Sequence, residues 1–165
     1  MRKCFLLVWS VCLLFGCRAE EKNVIYNENN TMVIEGVVYD IEENPISGIY
    51  RMYYPNGSVK MEVESKNGMP NGEGKFYDEN DVLSAECNFS KGLLDGAMVR
   101  YYPDGKIHEK LNYKEGVLSG KQESYDEKGN VFMEIDYDNG HAVKGYVIID
   151  GKQVDLTAEE LKNFE

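Results

Sequence analysis

The sequence predicts an all-β protein: a single curled antiparallel sheet of stacked 24-residue β-hairpin repeats, closed by a short C-terminal helix. Three observations carry this. Gly48, Gly72, Gly96 and Gly120 stand 24 residues apart, with Gly145 following after 25, and Tyr53, Tyr77, Tyr101 and Tyr125 keep the same period. Each period holds a turn signal, and the segment after that turn alternates apolar with polar residues. A hairpin that cannot bury its apolar face alone must stack on its neighbours, so the copies form one body.

With the opening glycine of a unit numbered zero, positions 6 to 9 read Tyr54-Pro55-Asn56-Gly57, Asp78-Glu79-Asn80-Asp81, Tyr102-Pro103-Asp104-Gly105 and Asp126-Glu127-Lys128-Gly129. Pro second, Asn or Asp third and Gly fourth suit a type I turn followed by a left-handed residue, which makes a hairpin. Asp81 stands where the other copies have Gly. The second unit therefore either places an Asp in the left-handed region or turns differently. If positions 6 and 10 close the turn, 5 faces 11, 3 faces 13 and 1 faces 15, so all odd positions share one side. In the second strands those positions are Val59, Met61, Val63, Ser65; Leu83, Ala85, Cys87, Phe89; Ile107, Glu109, Leu111, Tyr113; and Val131, Met133, Ile135, Tyr137. Only Ser65 and Glu109 break the apolar series. The even positions are polar except Phe132, a period of two that a helix cannot reproduce. A looser turn at Gly68, Gly92, Gly116 and Gly140 is expected to end each unit.

Before the array, Met1, Arg2 and Lys3 lead into an apolar run from Cys4 to Phe15. Its length, about 12 residues, is short of the roughly 20 that a helix needs to span a bilayer core. The pattern is that of an export signal. Leu14-Phe15-Gly16-Cys17 resembles the lipobox of bacterial lipoproteins, which implies cleavage of residues 1–16 and a lipid on Cys17. Cleavage after Ala19, with a secreted soluble product, is the alternative. Loss of Arg2 and Lys3 with the leader moves the net charge from −11 to −13 and leaves Cys17 and Cys87 as the cysteines. With Cys17 lipidated no disulfide can form within the chain, and Cys87, at an apolar position, reads as a small core residue.

Residues 17–31 read as a polar tether and 32–165 as the repeat domain. Its units are 48–71, 72–95, 96–119 and 120–144, between a cap at 32–47 and a cap at 145–165. In the first cap Val37, Tyr39 and Ile41 occupy the odd positions of a second strand whose partner has decayed. In the last cap, Asp150-Gly151 predicts a two-residue hairpin turn, and Thr157-Ala158-Glu159-Glu160 is a capping box that starts a helix bearing Leu161 and Phe164 on one side.

Gly-x4-Tyr-Tyr-Pro-Asp/Asn-Gly-x-Val/Ile, an alternating strand and an Asn/Lys-Gly-x-x-x-Gly step, as from Gly96 to Gly120, resemble the bacterial variant of the MORN repeat. The resemblance covers about 97 residues. It implies a curved run of hairpins used for binding or scaffolding, and some bacterial members look like antitoxin or immunity components. It supplies no catalytic residue.

The residues themselves point away from catalysis. A Ser or Cys nucleophile needs a nearby base, yet the two histidines are His108, on the polar side of a strand, and His141, in a turn. The acidic loops at 78–81 and 136–140 lack calcium-loop spacing, no phosphate-binding motif is present, and strong negative charge repels nucleic acid and anionic headgroups. The expectation is therefore a non-enzyme without metal, cofactor or small-molecule substrate. It reads as a lipid-anchored envelope protein, outer-membrane or surface-exposed, that holds a protein or peptide partner on a face marked by Tyr53, Tyr77, Tyr101 and Tyr125. A structural spacer of the envelope is the alternative.

Overall fold

The computed structural model describes residues 25–164. Fourteen strands follow in order: β1 (Ile25–Asn27), β2 (Thr31–Ile34), β3 (Val37–Asp40), β4 (Gly48–Tyr53), β5 (Val59–Lys66), β6 (Met69–Tyr77), β7 (Leu83–Ser90), β8 (Leu93–Tyr101), β9 (Ile107–Lys114), β10 (Val117–Leu118), β11 (Gly120–Tyr125), β12 (Val131–Asp138), β13 (His141–Ile149) and β14 (Lys152–Asp155). The helix α1 (Ala158–Leu161) and a 3-10 turn at Lys162–Phe164 close the described residues. Twelve strands form one sheet, in the order β1-β4-β5-β6-β7-β8-β9-β11-β12-β13-β14 with β10 beside β9, while β2 and β3 make a separate hairpin.

The predicted turn chemistry accounts for this meander. Asp81 adopts φ 61°, like Gly57, Gly105 and Gly129, so the second unit keeps the turn of the others. In units two and four the carboxylates of Asp78 and Asp126 accept from turn N–H groups two and four residues on, which holds both acids below the usual carboxylate range. The unit-ending turns are tighter than expected. Asn67-Gly68, Lys91-Gly92, Glu115-Gly116 and Asn139-Gly140 are two-residue loops with both φ angles positive, the primed turn that matches strand twist.

Neighbouring units are joined along that edge by a repeating bond. Gly68, Gly92, Gly116 and Gly140 each donate N–H to the carbonyl 22 residues earlier, on Ile46, Pro70, Leu94 and Leu118, at 2.7–2.9 Å. At the opposite edge the tyrosines preceding the two Pro turns reach forward: Tyr54 Oη donates to the Tyr77 carbonyl at 2.9 Å and Tyr102 Oη to that of Tyr125 at 2.6 Å. The 24-residue period is thus overlaid by one of two units.

Two further expectations are corrected. Residues 25–27, assigned to the polar tether, form β1 and pair in parallel with β4, because the chain passes out through the β2–β3 hairpin and returns alongside. The register also differs from the one expected. Tyr53 faces Val59, but a bulge shifts the next pair, so Met52 rather than Arg51 faces Met61. The same shift follows Phe76, Arg100 and Ser124. Because side chains alternate with a period of two, one extra residue exchanges the faces of the first strand.

One face therefore carries the odd positions of the second strands and the even positions of the first. Val63, Ala85, Cys87, Leu111, Ile135 and Tyr137 are buried there, joined by Gln122 and Ser124. At the C-terminal end Leu161 closes over Ile135 and Tyr137, with Leu118, Met133, Leu156 and Phe164 around them. The Thr157 capping box forms as predicted. The exceptional Glu109 is satisfied by Arg100 at 3.2 Å and by the Gln122 amide at 2.6 Å, so its carboxylate is paired within an apolar surface.

Candidate interaction face

The opposite face is built from position 14 of each second strand and positions 1, 3 and 5 of each first strand. The four tyrosines singled out in the sequence lie here. Expected among the apolar odd positions, they stand instead beside charged side chains, because the bulge reverses their face. Tyr77 Oη lies 3.5 Å from Glu62, Tyr101 Oη donates to Glu86 Oε1 at 2.5 Å and Tyr125 Oη to Glu123 at 2.7 Å. Tyr53 is partly buried beside Arg51, which donates Nε to Glu62 at 2.6 Å. The rule is that the tyrosine of one unit reaches the position 14 carboxylate of the preceding unit. Unit three has Lys110 there, which places its ammonium 5.1 Å from the centre of the Tyr125 ring and leaves that hydroxyl to Glu123 of its own strand. Tyr146 extends the series toward Glu134, which also pairs with Lys121 at 2.8 Å.

These contacts make a row of half-buried rings whose hydroxyls are tied down. Burial first, and then the bond to Glu86, pushes the Tyr101 hydroxyl from 10.0 up to about 12. Tyr77 and Tyr146 move the same way, again chiefly by burial and then by Glu62 or Glu134. A phenol with a folded value above its unfolded one stabilises the fold fully below pH 10, and the contribution is lost as pH rises toward 12. The urea midpoint is accordingly expected to fall between pH 10 and 12, and to fall less steeply in Tyr101→Phe. Parallel curves for the two proteins would remove Tyr101 from the ladder.

A second row supports the backbone between units. At each unit junction the ladder is interrupted around Gly72, Gly96 and Gly120, and position 16 of the preceding strand lies beside it. Glu64 accepts from the Glu73 N–H at 3.0 Å, and the Asn112 amide donates to the Lys121 carbonyl at 3.1 Å. The acidic side chains Glu62, Glu86 and Glu134 were missed as site residues. Their signal lay in the first strands, where charged residues fill odd positions at Arg51, Glu73, Lys75, Lys121 and Glu123, against the apolar parity of the second strands.

The other candidates take ordinary places. Cys87 is buried and its thiol is pushed up to about 11 by that burial, which suits an inert core residue. His108 packs its ring on Tyr102, with centroids 4.5 Å apart, and His141 is exposed at the start of β13. Cys17 lies outside the described residues. Among the described residues no cluster of His, Cys, Asp or Glu has metal-binding geometry, and no helix is long and apolar enough to cross a membrane.

A family model described as MORN repeat variant matches residues 46–67, 70–91, 94–115 and 118–139, each segment opening two residues before a unit glycine. No curated protein matches the chain. Among solved structures, the chain resembles the accessory secretory proteins 1, 2 and 3 of Streptococcus pneumoniae, at 15% identity and a TM-score of 0.39 over 70% of this chain and 22% of that one. It also resembles a mutant of S. aureus TarM in complex with Fondaparinux, alpha-GlcNAc-glycerol and UDP, at 16% identity and a TM-score of 0.29 over 76% of this chain and 21% of that one. A further TarM structure matches at 17% identity with the same TM-score and coverage. The chain thus spans about a fifth of the length of the solved structures it matches.

Proposed function

Because the chain belongs to the MORN repeat variant family, we propose that it is a repeat scaffold that binds a protein or peptide partner on the tyrosine–carboxylate face, without catalysis or a cofactor. The observation that carries this is the row Tyr53, Tyr77, Tyr101 and Tyr125, recurring once per unit with its hydroxyls or neighbouring charges paired inside the sheet. Side chains ordered before binding lose little further freedom when a partner docks. Aromatic rings with a polar end are also the groups most used as anchors at protein interfaces. An antitoxin-like or immunity-like role is one use of such a face.

Ala97 and Met98 offer a direct test, since they are adjacent and point to opposite faces: Ala97 pairs with Asn112, and Met98 with Leu111. A photo-crosslinking residue at 97 is expected to give one discrete adduct in cells, and the same group at 98 none. No adduct from either position favours the envelope spacer.

The scaffold is proposed to be exported and held at the bacterial envelope by a lipid on Cys17, which the Leu14-Phe15-Gly16-Cys17 run supports. Cys17→Ser is expected to move the protein from the membrane to the soluble fraction. Retention after a carbonate wash would rule out that anchor.

A further inference from the structure

The two ends of the sheet are closed unequally. At the C-terminal end Leu161 is buried and Leu156 and Phe164 are packed on the core. At the N-terminal end the β2–β3 hairpin is fastened through β3, by the Val38 N–H to the Gly68 carbonyl at 2.9 Å and the Ile46 N–H to the Val38 carbonyl at 3.0 Å. Its outward strand β2 carries Met32, Val33 and Ile34 at 38%, 63% and 51% exposure, and Ile41 beyond β3 is 76% exposed. A two-stranded hairpin with this much open apolar surface is marginal in water.

We propose that the free edge of this strand, with Met32 and Ile34 projecting to one side and Val33 to the other, lies against the surface of the bilayer that holds Cys17. The proposal rests on the lipid-anchor reading. From Cys17 to Ile25 is eight residues, which reach at most about 28 Å when fully extended, and β2 begins four residues after β1 ends. A lipid surface is therefore the apolar body within reach of the end of the sheet that lacks a cover. Charge selects the lipid. Residues 25–47 contain Glu28, Glu35, Asp40, Glu42 and Glu43 and no Lys or Arg, so the hairpin is suited to zwitterionic headgroups and repelled by anionic ones.

The test uses the full chain, expressed with its leader, purified from membranes and placed in phosphatidylcholine vesicles with brominated acyl chains. Val33→Trp is compared with Leu93→Trp, a similarly exposed apolar position in the main sheet, and the parent, whose single tryptophan Trp9 leaves with the cleaved leader, sets the background. Quenching several-fold stronger at position 33 than at 93, and weaker when phosphatidylglycerol is added at low salt, is the expected result. Equal quenching at both positions overturns the proposal, as does unquenched Val33→Trp in a protein that sediments as a dimer, since a second copy then covers the strand. The intact mass reports the anchor separately: acyl mass without quenching at 33 leaves the anchor and removes the hairpin contact. Quenching at 33 in a chain without acyl mass supports the hairpin contact and removes the anchor.

Discussion

Ile135→Ala is expected to destabilise the fold by about 3–4 kcal/mol, within the range for truncating a buried branched aliphatic side chain. Ile135 is 0% exposed, at the point where the last unit meets the C-terminal cap, with Tyr137 and Leu161 against it. The sheet is a single layer, so a cavity there has little surrounding mass to collapse into it. Phe132, three residues earlier and on the other face, is 38% exposed, and Phe132→Ala should cost about 1 kcal/mol or less. Urea unfolding of the two variants and the parent decides between them. Equal losses would mean that the C-terminal cap does not close the core.

Gly72→Ala is expected to cost about 2–3 kcal/mol, and Gly120→Ala, at the equivalent position two units on, about 1 kcal/mol. Both glycines have positive φ, 121° and 79°, so both substitutions strain the backbone. Only at Gly72 is the space also occupied. A Cβ built there overlaps the Glu64 carboxylate and comes within 2.9 Å of its Cβ, whereas at Gly120 nothing lies within 4 Å. Relieving the overlap displaces Glu64 from the Glu73 N–H and leaves that donor without its side-chain partner. The difference in urea midpoint between the two variants therefore reports the carboxylate clamp together with the greater backbone strain of an Ala at φ 121° than at 79°. Equal losses would show that the clamp contributes nothing.

Local chemistry was legible wherever a few neighbouring residues decide the conformation. The opening glycines, the Pro-Asn-Gly and Pro-Asp-Gly turns, the Asp150-Gly151 hairpin and the Thr157 capping box each need only a short stretch of chain, whereas at Asp81 two turns stayed open until the structure gave φ 61°. The core list was legible from the second strands, because Val63, Ala85, Cys87, Leu111 and Ile135 keep one parity over eight residues between two turns. The tyrosine face was not. Its position turns on one bulge beside each loop, and a single extra residue reverses every side chain beyond it.

The repeat, its hairpins, the parity of the second strands and the residues at which the chain reverses could thus be read from the chain, since all of these follow from interactions spanning fewer than about 24 residues. Three features emerged only in the folded sheet. These are the side of the sheet on which Tyr53, Tyr77, Tyr101 and Tyr125 stand, the charged side chain each one meets, and the return of Ile25–Asn27 along β4. The first follows from the bulge that the folded ladder places inside each hairpin, and the other two from side chains and strands that meet across unit boundaries, which no single 24-residue unit contains.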